Sequence, residues 1–438
     1  MNPVLLKSGG RRESDGAYLC SVLVMGKHYA NEDFGALGNR TEDLRDQVLE
    51  AHASLARVTI SDLIVVEGAG SCTELNLMER DIVNLPLVRR LNCLWLLVAD
   101  IDKGGVFAQI VGTKACVTED DWRLCCGIVI NRLRGEVKYF EPGPSMIEEM
   151  VGKKVFVVPW VNNLHLPEED AVGIETKIQN EGKSTSDQSE EQQNKPLVVV
   201  VAFPHIAIES DILPLERDES IRVEWRRNLL PNAPYPETAA VVLPGSRLTR
   251  SDLKWLTEET GWGEWIINHV QRGGTVLGLC GGYQMLGTTV NDENGIDGPP
   301  GITAGLGLLS LNTTFAPVDQ KIVMPRSAQL LGTNEMVQGF ELRCGRTEIT
   351  SPDTTEPVLR LNETGDADGA RVGNVSGSYL HGLLESATAR QVLLNLPPNV
   401  HGGEGVLSDP FERLADHLEA CGLTNETMKE LCRSIEYE

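Results

Sequence analysis

Positive charge is what this sequence most lacks. Lysine and arginine number 39 against 63 aspartates and glutamates, a formal charge of -24 over 438 residues. A surface this acidic repels phosphate backbones and anionic lipid, so nucleic acid and membrane surfaces are not expected partners. No run of about 18 apolar residues occurs, and the N-terminus lacks a charged-then-apolar leader. The expectation is a soluble, cytoplasmic protein. The cysteines Cys20, Cys72, Cys93, Cys116, Cys125, Cys126, Cys280, Cys344, Cys421 and Cys432 form no CxxC pair, which argues against a zinc site. Their scatter through apolar runs fits a reducing compartment better than a disulfide framework. No internal repeat is visible.

What is present is enough apolar material, 41% of residues, for two or three domains with real cores. Residues 1–172 alternate apolar runs with helical patterns. Runs at 62–66, 93–99, 127–130 and 155–158 read as buried strands, and Thr41 can cap a helix carrying Leu44, Val48 and Leu55. Continuous apolar strands separated by helices indicate a parallel sheet covered on both faces. Polar residues and glycines follow the first three strands, where open α/β sheets bind ligands. Residues 173–196 are polar and low in complexity, and read as a solvated linker. A second α/β pattern fills 197–438. It has strands at 197–201 and 239–243, a helix capped by Ser251, and short strands over 301–400. A closing helix runs from Phe411 to Cys421.

The second half centres on Gly273 to Gly287, which reads as turn, buried strand, sharp corner and helix. Cys280 stands at the corner between Gly278, Gly281 and Gly282. A strand that breaks into a helix at a nucleophile lifts the side chain into a cleft and aims the helix N-terminus at it. That dipole favours a thiolate and a developing oxyanion. Taken alone, a cysteine between glycines is more often a packed small hydrophobe. A thiol nucleophile also needs a base. His381, after a short apolar segment and before Gly382, is the best placed of the eight histidines. The loop Pro244-Gly245-Ser246 after a buried strand, and the Gly281 amide, can supply oxyanion donors.

The order of Pro244-Gly245-Ser246, then GLCGGYQMLG at 278–287, then YLHG at 379–382 resembles the class I-like glutamine amidotransferase domain of the cobyric acid synthase family. The resemblance implies that Cys280 attacks the glutamine amide while His381 shuttles the proton, and that Gln284 helps hold the glutamine. The wider superfamily carries His-x-Glu, but Leu383 stands two residues after His381 here. This branch is expected to work as a Cys-His pair, with Glu385 and Glu341 as candidate substitutes. The family's GYEIHMGRT segment is GFELRCGRT here, so Arg343 and Cys344 replace its histidine and methionine.

In the first half, EGAGSCTELNL from Glu67 resembles the family's EGAGSPAEINL, and VADIDKGGVFA at 98–108 resembles its VADIDRGGVFA. INRLRG at 130–135 and LPEED at 166–170 are similarly close to family segments. These imply a dethiobiotin-synthetase-like ATP domain, making the whole an α/β protein of two parallel-sheet domains. Glu67 becomes the Mg2+ ligand and Asn131 an adenine contact. Asp100 and Lys103 fall near the phosphates or the acceptor carboxylate, and Lys7 reaches the phosphates from the next strand. A G-x-x-S-x-x-G-K-S loop, whose amides cradle phosphates, occurs nowhere in the sequence. Met1 therefore reads as an internal methionine of a longer ancestor, or the ATP site as weakened.

The implied reaction is ATP-dependent amidation of the b, d, e and g carboxylates of adenosylcobyrinic acid a,c-diamide, with glutamine as nitrogen donor. The partners are then glutamine and a corrinoid, and the reading allows a homo-oligomer. Two alternatives stay open: a non-catalytic corrinoid- or glutamine-binding protein, and a stand-alone glutaminase subunit.

Overall fold

The computed structural model describes residues 2–11, 18–58, 63–161, 164, 166, 178, 195–229, 238–396 and 410–433. The expected linker at 173–196 lies outside them, apart from 178, 195 and 196. The chain forms two compact units, Met1–Leu164 with Phe411–Glu438, and His165–Pro410.

The first unit begins with strands β1 (Val4–Arg11), β2 (Tyr18–Val24) and β3 (Lys27–Asp33), paired antiparallel in sequence order. The helix Thr41–Val58 follows, with Glu42 and Asp43 in its first turn, where the helix dipole favours negative charge. Leu44 of this helix packs with Val22 and Leu37. Next come β4 (Trp95–Asp100), β5 (Cys125–Leu133) and β6 (Val155–Pro159), a parallel sheet in that order. Alternate residues of a strand face opposite ways. Ile128 and Ile130 of β5 pack with Ile110 of the helix Val106–Cys116 and Ile147 of the helix Gly143–Val151. Val129, between them, packs instead with Phe156, Val158 and Leu431.

Three expectations change here. Residues 63–69 form no strand, and Leu63, Val65 and Val66 are exposed. A strand exists only with a hydrogen-bonded neighbour, and among the described residues none pairs with this segment. Lys7 lies on β1, opposite Ser21 in an antiparallel hairpin rather than in the parallel sheet. The first unit therefore combines a parallel sheet with an antiparallel one. The closing helix exists, as Pro410–Ala420, but with Asn425–Arg433 it belongs to the first unit. There Leu418, Leu423, Met428 and Leu431 cover the second face of the β5–β6 sheet, and His417 Nε2 lies 3.0 Å from the Pro159 carbonyl oxygen. A parallel sheet buried on one face only would leave these apolar residues in water.

The second unit is built on a six-stranded sheet. In chain order its strands are β7 (Leu197–Val201), β9 (Arg222–Arg226), β10 (Thr238–Leu243), β12 (Thr275–Leu279), β21 (Ala370–Val372) and β22 (Val375–Ser378). In space they run β21-β22-β12-β10-β7-β9, parallel except for the edge strand β21. Val198 to Val201 are fully buried, as a central parallel strand requires. A two-stranded ribbon, β8 (Ile206–Ala207) with β11 (Gly245–Ser246), extends past the ends of β7 and β10. The region after residue 286 forms two further four-stranded sheets, one containing β16 (Ile322–Leu330) and β17 (Met336–Arg343). Ser251 does not cap the following helix, which starts two residues earlier as Thr249–Lys254. The Asp297 carboxylate accepts the Thr249 and Arg250 amides instead, a cap supplied from 48 residues away that no local pattern reveals.

Candidate active site

Cys280 follows β12 directly, at φ 49° and ψ -104°, and the helix Gly281–Met285 starts at the next residue. This strained corner holds because its glycines allow close approach. A Cβ on Gly282 would lie 2.0 Å from the Leu243 carbonyl oxygen, and one on Gly278 2.7 Å from the Gly282 carbonyl carbon. The Cys280 amide donates to the Ser378 carbonyl at 2.9 Å, tying the corner to the end of β22. Three strand ends therefore converge, since Leu243 of β10 pairs with Gly278, and Ser378 of β22 with Leu279.

His381 lies three residues beyond β22 and is almost completely buried. Its Nδ1 is 2.7 Å from Asp211 Oδ2, while Asp211 Oδ1 accepts the Gly382 amide at 2.9 Å. Asp211 is itself buried, in the short turn Glu209–Asp211 that follows β8. The ring stacks on Phe340, with centroids 5.1 Å apart, and the backbones of the two residues form a β-bridge. Burial lowers the imidazole pKa, but the Asp211 carboxylate bonded to Nδ1 and the neighbouring Cys280 sulfur outweigh it and raise the pKa to about 10. Among the described residues His381 Nε2 has no hydrogen-bond partner of standard geometry. The Cys280 sulfur is near enough to act on the ring, and that sulfur lies 3.7 Å from the Leu342 carbonyl oxygen.

The Pro244-Gly245-Ser246 loop borders the same corner. A Cβ on Gly245 would be 3.7 Å from His381 Cε1, and one on Gly281 would be 2.7 Å from the Ser246 nitrogen. Gln284 is buried one turn after Cys280. Its Nε2 donates to the Tyr379 hydroxyl at 3.1 Å, and its Oε1 has no partner among the described residues. Arg343 donates to Glu341 and to the Gly345 carbonyl, and its guanidinium carbon lies 4.2 Å from the centroid of the Tyr379 ring. Glu341, fully buried, also accepts from Arg326 at 2.5 Å. It is therefore engaged away from His381, and Asp211 rather than Glu341 or Glu385 holds the imidazole. Burial pushes the Cys344 thiol up.

In the first unit, Asp100 ends β4 and pairs in register with Asn131 of β5. Asp100 bonds to Arg132 at 3.3 Å, and Asp102 to Arg134. Lys103 is exposed on the turn before Gly104 and Gly105, which open the helix Val106–Cys116 with φ of 79° and 75°. Asp100, Lys103 and Asn131 thus share the C-terminal edge of the parallel sheet. Glu67 is exposed in the segment without strand structure, and nearby Ala69 accepts from Asn84. Among the described residues no group of three or more His, Cys, Asp or Glu side chains could hold a metal ion.

Residues 197–389 match the model of the CobB/CobQ-like glutamine amidotransferase domain. The cobyric acid synthase of Chlorobaculum tepidum is 37% identical over 431 residues, covering 95% of this chain and 81% of the relative. That of Bradyrhizobium diazoefficiens is 38% identical over 429 residues, covering 96% and 82%. The chain belongs to the cobyric acid synthase family. Among solved structures, PurLQS from Thermotoga maritima overlays 51% of this chain and 99% of its own, at 16% identity and a TM-score of 0.34. The amidotransferase domain that marks this family contains Cys280, His381 and Asp211 alike. Asp211 is the residue that sequence reading misses, because Ser-Asp-Ile-Leu-Pro carries no known triad spacing. Its only local sign is a buried position after a two-residue strand. No helix among the described residues is long and apolar enough to cross a membrane.

Proposed function

We propose that this enzyme hydrolyses glutamine at Cys280 and delivers the ammonia to peripheral carboxylates of a corrinoid, the b, d, e and g positions of adenosylcobyrinic acid a,c-diamide, with consumption of ATP. The arrangement of Cys280, His381 and Asp211 carries the reading. The sulfur attacks the glutamine side-chain carbonyl carbon, and the negative oxygen that forms is met by amides of Gly281 and the Gly245 loop. His381 Nε2 then protonates the departing nitrogen, so the C–N bond breaks and ammonia leaves a thioester. Water activated by the same imidazole cleaves the thioester to glutamate and the free thiol. Asp211 keeps the ring in the tautomer that presents Nε2 to the sulfur. Gln284, with an unpartnered buried oxygen, fits a role in holding the glutamine.

A carboxylate does not react with ammonia until it is activated, and ATP supplies that activation as an acyl phosphate. Asp100, Lys103 and Asn131, gathered at one strand edge, fit the binding of nucleotide or acceptor. Glu67 as the Mg2+ ligand rests on the resemblance alone, since it stands exposed and outside any cluster of three or more candidate ligands among the described residues. The test is ammonia release from glutamine, stimulated by the corrinoid and by Mg-ATP. Cys280→Ser abolishes it in this reading, and wild-type turnover in that variant removes the site. Micromolar Mg-ATP affinity supports the synthetase half, while no binding up to millimolar favours a chain confined to glutamine hydrolysis.

A further inference from the structure

Beside the Cys280 corner lies a second polar network that glutamine cleavage leaves unused. Asp252, on the helix Thr249–Lys254, is completely buried. Its Oδ2 accepts from Ser246 Oγ at 2.5 Å, and its Oδ1 lies 2.7 Å from His205 Nδ1. A carboxylate this deep is costly to desolvate. Burial indeed raises its pKa. Its two oxygens hold two different strands. Ser246 belongs to β11, while His205 immediately precedes β8 and also accepts the Arg247 amide through its carbonyl at 2.8 Å. Asp252 therefore pins both sides of the β8–β11 ribbon.

Both sides of that ribbon lead into the site. β11 carries Gly245 and Ser246, whose backbone lies against Gly281 and the His381 ring. β8 runs within four residues to Asp211, the carboxylate bonded to His381. Ser246 Oγ also accepts the Leu248 amide at 3.1 Å, so the loop is closed on itself as well as on Asp252.

We propose that Asp252 and Ser246 are positioning residues for glutamine cleavage: their hydrogen bond fixes the oxyanion-side strand against the Cys280 corner, while the His205 arm fixes the strand that delivers Asp211. This rests on the reading of Cys280 as the glutamine nucleophile. The bond acts on the step in which an oxyanion forms. It does not act on the intrinsic reactivity of the thiol.

The experiment compares two reactions of the same sulfur in the full chain. Glutamine hydrolysis develops an oxyanion. Alkylation by iodoacetamide forms a C–S bond and expels iodide, with no oxyanion. Ser246→Ala is expected to lower kcat for hydrolysis at least about tenfold, below the loss seen when an oxyanion donor is removed outright. KM and the alkylation rate of the Cys280 peptide, followed by mass spectrometry, should stay within about threefold. Asp252→Ala, which removes both bonds, should show the same split. A parallel fall of hydrolysis, alkylation and Tm overturns the proposal in favour of a general packing role. Unchanged kcat in Ser246→Ala overturns it outright. Failure of the underlying reading looks different, since the wild-type chain then releases no ammonia from glutamine while Cys280 still alkylates.

Discussion

Asp211 and His381 lie 170 residues apart in sequence and 2.7 Å apart in space, both almost wholly buried. The Asp211 carboxylate reaches Nδ1 from a distant turn, not from a residue beside His381 in sequence. Asp211→Asn removes the charge and leaves an amide that cannot accept equally from Nδ1 and from the Gly382 amide. Glutaminase kcat is expected to fall on the order of 10²–10⁴-fold, as when the wrong imidazole tautomer is stabilised in other triads. KM should change little. Steady-state ammonia release, with Tm as a control for folding, checks it.

The raised pKa of His381 gives a pH signature. Against burial, which lowers it, the Asp211 carboxylate bonded to Nδ1 and the neighbouring Cys280 sulfur bring it to about 10 from an ordinary 6.5. A histidine whose pKa is higher folded than unfolded stabilises the fold fully below the unfolded value. That contribution is lost as pH rises through the folded value. The Tm difference between wild type and Asp211→Asn should therefore be largest below pH 6.5 and shrink towards pH 10. The alkaline fall of kcat/KM, set by loss of the imidazolium proton, should move to lower pH in the variant. A pH–rate series on both proteins measures the shift.

The corner itself tolerates no added side chain. A Cβ at Gly282 would meet backbone oxygen at 2.0 Å, far inside contact distance, and neither β10 nor the helix can retreat without breaking the sheet. Gly282→Ala should cost about 3 kcal/mol or more, at the upper end of overpacking effects. The expected result is loss of soluble second unit or a large drop in urea midpoint. Cys280→Ser, by contrast, should keep the wild-type midpoint while losing activity.

The C-terminal helices stabilise the first unit. Leu431 packs with Val129, Phe156 and Val158. Leu431→Ala should destabilise that unit by about 2 kcal/mol, the low end for a core leucine at a partly open site. Hydrogen exchange should then quicken at β5 and β6 amides and stay unchanged at β10 and β12. Equal quickening in both sets would contradict the assignment of these helices.

Sequence legibility followed how local each feature is. The Cys280 corner was readable because strained geometry demands glycine at fixed offsets, and His381 because its strand and glycine are adjacent. Asp211 was not, since what makes it important is a partner 170 residues away. The helix starting at Pro410 was visible as a helix, but amphipathic periodicity does not say which sheet it covers. The 62–66 run failed for the opposite reason: apolar composition proposes a strand, and only a hydrogen-bonded neighbour makes one. Lys7 sits in a hairpin whose pairing depends on Ser21, which motif matching around Lys7 alone does not consult.

The bond from Asp211 to Nδ1 has a directional consequence. With that nitrogen occupied and the ring stacked on Phe340, the imidazole has one open port, Nε2. Every proton that enters or leaves the base must cross on the sulfur side. In the proposed reaction the atom that receives the thiol proton is then the atom that hands it to nitrogen, so the departing ammonia starts its path from the face of Cys280.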